Sequence, residues 1–305
     1  MRVAIITNLT NGKGLERDYR LLKARLEKRG HGVVGVMFDD YAHNLGTRFD
    51  LAIFLEVCVP ALFSLAPRRW LIPNPEWWYS ANNVYLDQFQ RVLVKTYDAW
   101  RLFGPITALG QLDVIGFVSE DRYLPDAEAE YAFLHAPGQS TVKGTDVVLE
   151  AWRRFALPYP LTLIADQRID TSGILNVVSL ARLDDATYRQ AQNAHLFHLC
   201  PSRYEGWGHT IHEALSVGAI VIATDAPPMD EWAGVAYRAP VRRTYSQRLA
   251  TMAEADPAGI AALVRGVVEL DVALIAEQSM RAMDAYRAEC AAFDAALDRE
   301  LGAVQ

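Results

Sequence analysis

Cysteine is scarce in this chain. Its 305 residues hold three, Cys58, Cys200 and Cys290, far apart in sequence. That excludes a disulfide framework and suits a reducing compartment. No apolar run is long enough to span a bilayer. The start, MRVAIITNLTNGKG, turns to a glycine loop after one short apolar run, so neither a signal peptide nor an anchor is expected there. These absences together predict a cytoplasmic protein. Low-complexity segments and close internal repeats are also missing. With 51% hydrophobic and 22% charged residues, the composition carries no disorder signature.

Charge of one sign is lacking in the first part only. Residues 1–128 carry 15 Lys+Arg and 15 Asp+Glu, whereas residues 129–305 carry 15 and 22. The acidic second part argues against a general nucleic-acid binder. One basic cluster stands out, RDYRLLKARLEKRG at Arg17–Gly30. Leu21, Leu22 and Leu26 fall on one helical stripe with the cations opposite. A solvated helix face is the favoured reading. Peripheral contact of helix 17–29 with an anionic membrane or an acidic acceptor is the sharper one.

What is present is an alternation of short apolar strands and amphipathic helices. RVAIIT, HGVVGVMF, DLAIFLEV, RRWLIPN, RVLVKT and VIGFVS read as strands of a first series. The pattern restarts near residue 128 with EYAFLHAPG, PLTLIAD, NVVSLAR, AHLFHLCPS and AIVIATD. Helices fall between them, among them GTDVVLEAWRRFA, where Thr145 and Asp146 are candidate caps. HTIHEALSV is another, closed by Gly218. The fold class is therefore α/β, with two Rossmann-like doubly wound domains in tandem. Residues 1–128 form the first and 129–279 the second. A helix over about 280–305 is expected to pack back on the first. Ligands of open parallel sheets bind beyond the carboxyl ends of the strands. The loops Asn11–Gly14, Asn74–Trp77, Gly138–Gly144, Glu205–His209 and Asp225–Glu231 all lie at such ends. Two sheets facing a central cleft would converge these loops.

The stretch RYEGWGHTIHE sets Glu213 eight positions after Glu205, with two glycines and two histidines between them. A helix beginning near Gly208 leaves its first N–H groups unpartnered and partly positive, which suits a phosphate. Gly206 and Gly208 admit close backbone approach. Glu213 could accept from a diol such as a ribose, and Glu205 from hydroxyls of a second group. From composition alone, a helix start with two solvated acids is the better reading of the stretch. The order HTIHE is not the zinc-protease H-E-x-x-H, and no metal site is expected. In HAPGQSTVKGTD, Lys143 offers a compact positive charge, while Ser140 and Thr141 offer hydroxyl donors. The spacing of a P-loop is absent, and TNGKG at Thr10–Gly14 lacks G-x-G-x-x-G.

Pro201–Glu231, PSRYEGWGHTIHEALSVGAIVIATDAPPMDE, resembles the signature of retaining GT-B glycosyltransferases of family 4 and its relatives. GQSTVKGTDVVLEAW is similar to that family's K-G segment. NVVSLARLDDATYRQAQNAHLFHLCPS resembles the run that precedes the P-S motif. The resemblance is specific over about residues 135–235 and diffuse before them. It implies a sugar transferred from a nucleotide diphosphate sugar, such as a UDP- or GDP-sugar, with retention by same-face attack. It implies no cofactor and no metal. The acceptor is unidentified: glycan, lipid-linked, protein or small molecule.

Carried over by position, the resemblance implies that Glu213 binds the ribose and Glu205 contacts the transferred sugar. Backbone amides near Gly208, His209 and Thr210 would face sugar and diphosphate, and Lys143 would neutralise the leaving group. Gly12 and Gly14 match the loop that approaches the phosphates from the first domain. Two departures stand out. The arginine expected before the lysine is replaced by the Gly138-Gln139-Ser140 region, where Ser140 is a weak substitute. The histidine expected after the fourth strand is replaced by NPEWW, so Asn74 or Glu76 occupies its place. Glu76 would orient the acceptor hydroxyl or touch the sugar; equally, it is a structural acid at a strand end. The alternatives to a transferase are an inactive nucleotide-sugar-binding or sensing protein and a sugar-nucleotide epimerase of the same fold.

Overall fold

The computed structural model describes residues 1–10, 12, 14–40 and 46–303. The described chain forms two compact units. Unit 1 comprises Met1–Val118, Gln247–Ala250 and Ala292–Gln305, and unit 2 comprises Ser119–Ser246 and Thr251–Ala291. The first stretch of unit 2 is held there by side chains of its own unit. Arg122 Nε donates to Gln192 Oε1 at 2.9 Å and Leu124 N to Asn193 Oδ1 at 2.9 Å.

Unit 1 is built on six parallel strands: β1 (Arg2–Thr7), β2 (Gly32–Met37), β3 (Leu51–Leu55), β4 (Arg68–Ile72), β5 (Arg91–Val94) and β6 (Leu112–Val114). Their order is β2-β1-β3-β4-β5-β6. The central strands are continuous apolar runs because both sheet faces are covered: all five residues of β3 are buried. Helix α1 (Gly14–Lys28) follows β1, and α2 (Tyr97–Phe103) follows β5. Thr96 caps α2 by accepting from Ala99 N.

The VIGFVS segment, expected as a strand, is held to β5 only at its start: Val114 pairs with Val94, and Ile115 N donates to Val94 O at 2.9 Å. Strand β6 covers Leu112–Val114, and Gly116 at φ +68 turns the backbone out of strand geometry. The basic face of α1 is also only partly solvated. Arg25 and Arg29 pair with Asp294 and Asp298 in the part of the last helix that belongs to unit 1.

Unit 2 is built on β7 (Glu130–Gly138), β8 (Leu161–Ala165), β9 (Val177–Leu180), β10 (His195–Cys200), β11 (Ile220–Thr224) and β12 (Tyr237–Ala239). The parallel order is β12-β11-β10-β7-β8-β9, which is the Rossmann order. Helices α3 (Thr145–Phe155), α4 (Asp185–Ala194) and α5 (His209–Ser216) connect these strands. The hairpin β13 (Val241–Gln247) and β14 (Ala250–Ala255) comes next. Helices α6 (Pro257–Val267) and α7 (Val272–Gly302) complete the chain. The core of the unit gathers Phe133, Val148, Trp152, Phe197, Ile222 and Val264. Phe133 stacks on Phe197 at 4.9 Å. Each such side chain contributes roughly 1.5–3 kcal/mol by leaving water.

Thr145 and Asp146 do not cap α3. The cap position is Gly144, in the left-handed region at φ +75. Thr145 instead meets His135, and Asp146 pairs with Arg203. A Cβ at residue 144 would lie 2.2 Å from the Pro201 carbonyl oxygen, so backbone contact excludes any side chain there. Gly218 terminates α5 at φ +72. Among the described residues no helix is long and apolar enough to cross a membrane.

Candidate nucleotide-sugar site

In unit 2 the strand order reverses between β7 and β10, and a crevice is expected beyond the strand ends there. The two loops at this place are 138–144, after β7, and 201–208, after β10. They are joined by backbone and side chain. Arg203 N donates to Val142 O at 2.8 Å, and Arg203 Nη1 to Thr141 O at 2.9 Å. Lys143 Nζ lies 2.5 Å from Glu205 Oε1. Ser202 Oγ donates to the same carboxylate oxygen. Arg203 itself is anchored by Glu254, which also receives Arg242 and Arg243. Three guanidinium groups hold the Glu254 carboxyl at about 2, well below its ordinary value.

A narrow recess opens here, lined among others by Lys143, Ser202, Thr210, Gln192 and His135. Thr210 is the second residue of α5, so an ammonium group and the first turn of a helix border one recess. Gly208 starts that helix at φ +91, and a Cβ on it would come within 3.0 Å of the Trp232 ring. His135 sits at the floor. Its Nδ1 donates to Leu199 O at 2.8 Å, so Nε2 accepts from Thr145 Oγ1 at 2.9 Å. Burial lowers His135 to about 4 and His198 to about 3, and both rings are neutral. The Cys200 thiol, also buried, is pushed up to about 12 and is no nucleophile.

The other sequence-derived candidates fall as follows. Ser140 Oγ accepts from Val142 N, and Thr141 is exposed, so both shape the loop that carries Lys143. His209 Nδ1 lies 2.8 Å from Ser119 Oγ, which also accepts from the Trp207 indole N–H. Ser119 N donates to His212 Nδ1. These contacts tie both histidines to a serine, and among the described residues no group of three His, Cys, Asp or Glu side chains could hold a metal ion.

Glu213 is wholly buried and accepts from Gln192 Nε2 at 2.9 Å. Gln192, not Glu213, lines the recess. Asn74, Glu76, Gly12 and Gly14 belong to unit 1. Asn74 and Glu76 are buried at the end of β4. Gly12 takes φ +62 and donates to Glu16, and Gly14 opens α1. Asn11 and Lys13 of that loop lie outside the described residues.

Sequence reasoning missed Gln192, Ser119 and His135 as parts of the site. Gln192 sits in a polar helix with no motif around it, and only the fold brings it under α5. Ser202 had a signal, since it belongs to the P-S motif.

No protein-family model matches the chain, and no curated protein matches it in sequence. Solved structures do match. The Anabaena protein Alr3699/HepE, in complex with UDP and glucose, aligns with a TM-score of 0.71 at 14% identity, over 99% of this chain and 100% of that one. A glycosyltransferase from Rickettsia africae aligns with a TM-score of 0.69 at 12% identity, over 99% and 97%. The GtfA/B complex aligns with a TM-score of 0.60 at 16% identity, over 83% of this chain, which spans 57% of that one. These likenesses show the fold. Two Rossmann-like domains make up the chain, as in GT-B glycosyltransferases.

Proposed function

We propose that this protein is a glycosyltransferase that moves a sugar from a nucleotide diphosphate sugar to an acceptor hydroxyl. The carrying observation is that Lys143 and the start of α5 border one recess at the strand-order reversal of a Rossmann unit. A diphosphate there meets an ammonium group and the amides of a helix's first turn, both favourable to negative charge. The bond from the anomeric carbon to the diphosphate breaks, and charge grows on the departing oxygen. Lys143 and the amides stabilise that charge. An ammonium group has three donors, and Glu205 engages one of them.

In this reading Glu205, held by Lys143 and Ser202, accepts from hydroxyls of the transferred sugar. Glu213 acts through Gln192: the pair presents the Gln192 amide to the nucleoside end of the recess. Attack on the face that the diphosphate leaves gives retention, and the acceptor proton passes to the departing oxygen. No divalent cation is required in this scheme. The UDP and glucose of the Anabaena structure make UDP and its sugars the first donors to test.

The test is thermal melting with UDP, GDP, ADP and their sugars, followed by transfer from the labelled donor that raises the melting point. A specific shift and a labelled glycoside support the proposal. Absence of a shift with every nucleotide sinks it. Binding without turnover indicates a sensing protein, and a changed sugar still on its nucleotide indicates an epimerase.

A further inference from the structure

Gln192 is a neutral amide held between two charges of opposite sign. Its Nε2 donates to Glu213 Oε2 at 2.9 Å, and its Oε1 accepts from Arg122 Nε at 2.9 Å. A guanidinium only donates and a carboxylate only accepts, so the two ends dictate which way the amide faces. All three side chains are buried, and in a low-dielectric interior such a chain polarises along its length. One of the two amide protons goes to Glu213. The other is the donor that Gln192 keeps for a ligand in the recess it lines.

The segment that carries Arg122 is anchored without its guanidinium. Arg122 N donates to Ser216 Oγ at 3.0 Å, and Arg122 O accepts from Asn193 Nδ2 at 2.8 Å and from Arg189 Nε at 2.9 Å. Two acidic partners of the guanidinium, Glu120 and Asp185, have side chains 36% and 78% exposed, and pairs with exposed acids contribute little. The bond to Gln192 differs, because both of its groups are buried. Deprived of Arg122, Gln192 Oε1 would be a buried acceptor in want of a donor. Rotation of the side chain towards water in the recess would satisfy it and would take the amide from Glu213.

The guanidinium also lies over the Tyr188 ring, at 5.8 Å. Tyr188 and Gln192 stand one turn apart on α4, and both line the recess. One cation thus backs an aromatic ring and an amide on the same helix face.

We infer that Arg122 is a positioning residue for nucleotide binding: it acts through Gln192, fixing the amide so that one N–H meets Glu213 and the other meets the ligand. The assignment rests on the transferase reading of this recess.

The test is calorimetry on the full chain with UDP, or with GDP or ADP where UDP does not bind, in a double-variant cycle of Arg122→Met and Gln192→Ala. R122M weakens binding by about fivefold and Q192A by about tenfold, and the double variant matches Q192A within about twofold. A side chain that merely braced its own segment would cost the same factor with or without the Gln192 amide. Losses that multiply to about fiftyfold therefore overturn the assignment, and so does unchanged affinity in R122M. If melting shows that R122M does not fold, Arg122→Lys carries the cycle. It keeps the charge beside Asp185, gives up the Nε donor, and is expected to show the same loss and the same coupling. A wild-type chain that binds none of the three nucleotides removes the transferase reading and this assignment with it. Nucleotide binding with multiplying losses removes Arg122 alone.

Discussion

Lys143 Nζ stands 2.5 Å from Glu205 Oε1, and the two come from loops on opposite sides of the strand-order reversal in unit 2. Their side chains are 18% and 8% exposed. Such a pair is neither a solvated surface bridge nor a fully buried one. It places a positive charge at the recess and fixes a carboxylate beside it.

Removing the ammonium separates chemistry from folding. Lys143→Ala is expected to lower turnover by about 100-fold or more. Ser202 still donates to Glu205, so the melting temperature falls by only a few degrees. Steady-state kinetics and thermal melting check both halves. Near-normal turnover would remove Lys143 from the mechanism. Lys143→Arg is not expected to rescue, since a planar fork does not replace a compact charge.

Gln192 and Glu213 are expected to act as one unit. Glu213→Ala and Gln192→Ala each weaken nucleotide binding by about tenfold, and the double variant is no worse than the weaker single. Calorimetry with the donor nucleotide measures all four corners. Additive losses would show that the two side chains do not share a task.

Gly144→Ala is expected to destabilise unit 2 by more than about 2 kcal/mol. It adds left-handed strain to a clash with the Pro201 carbonyl, which belongs to backbone and cannot swing away. Urea denaturation reports the change. An unaltered midpoint would mean that the two loops are not pressed together.

Acid should weaken unit 2 in two stages. His135 and His198 are neutral in the fold, at about 4 and about 3, against an ordinary value near 6.5. The unfolded chain binds their protons first, so their contribution is full above about pH 6.5 and is lost as pH falls towards 4. Each contributes at most about 1.4 kcal/mol per pH unit. Glu254 is depressed to about 2. Its contribution is full above the ordinary carboxylate value of about 4.3 and is lost as pH falls from there towards 2. Urea midpoints measured from pH 7.5 to 3.5 should fall in that order. In Glu254→Gln the second stage disappears; a variant with the wild-type profile would exclude this assignment.

Much of the fold was legible because buried parallel strands are short apolar runs between turn residues. Strands β1 and β7 occupy the stretches RVAIIT and EYAFLHAPG. The hairpin β13–β14 had no such signature: VRRTYSQ is a mostly polar run on an exposed ribbon. Within the candidate site, Lys143, Glu205 and Gly208 were legible because they sit in motifs at strand ends. Arg122 was not. It lies in a polar stretch without a motif, and only the fold sets it against Gln192.

Local sequence alone determined the α/β alternation and the position of the loops that carry charge and glycine, since periodicity and turn chemistry act over a few residues. Only the tertiary structure decided which groups meet. It seated Glu213 behind Gln192, and turned Thr145 and Asp146 from caps into partners of His135 and Arg203. Those outcomes depend on strand order and on packing between distant segments, and no short window of residues encodes either.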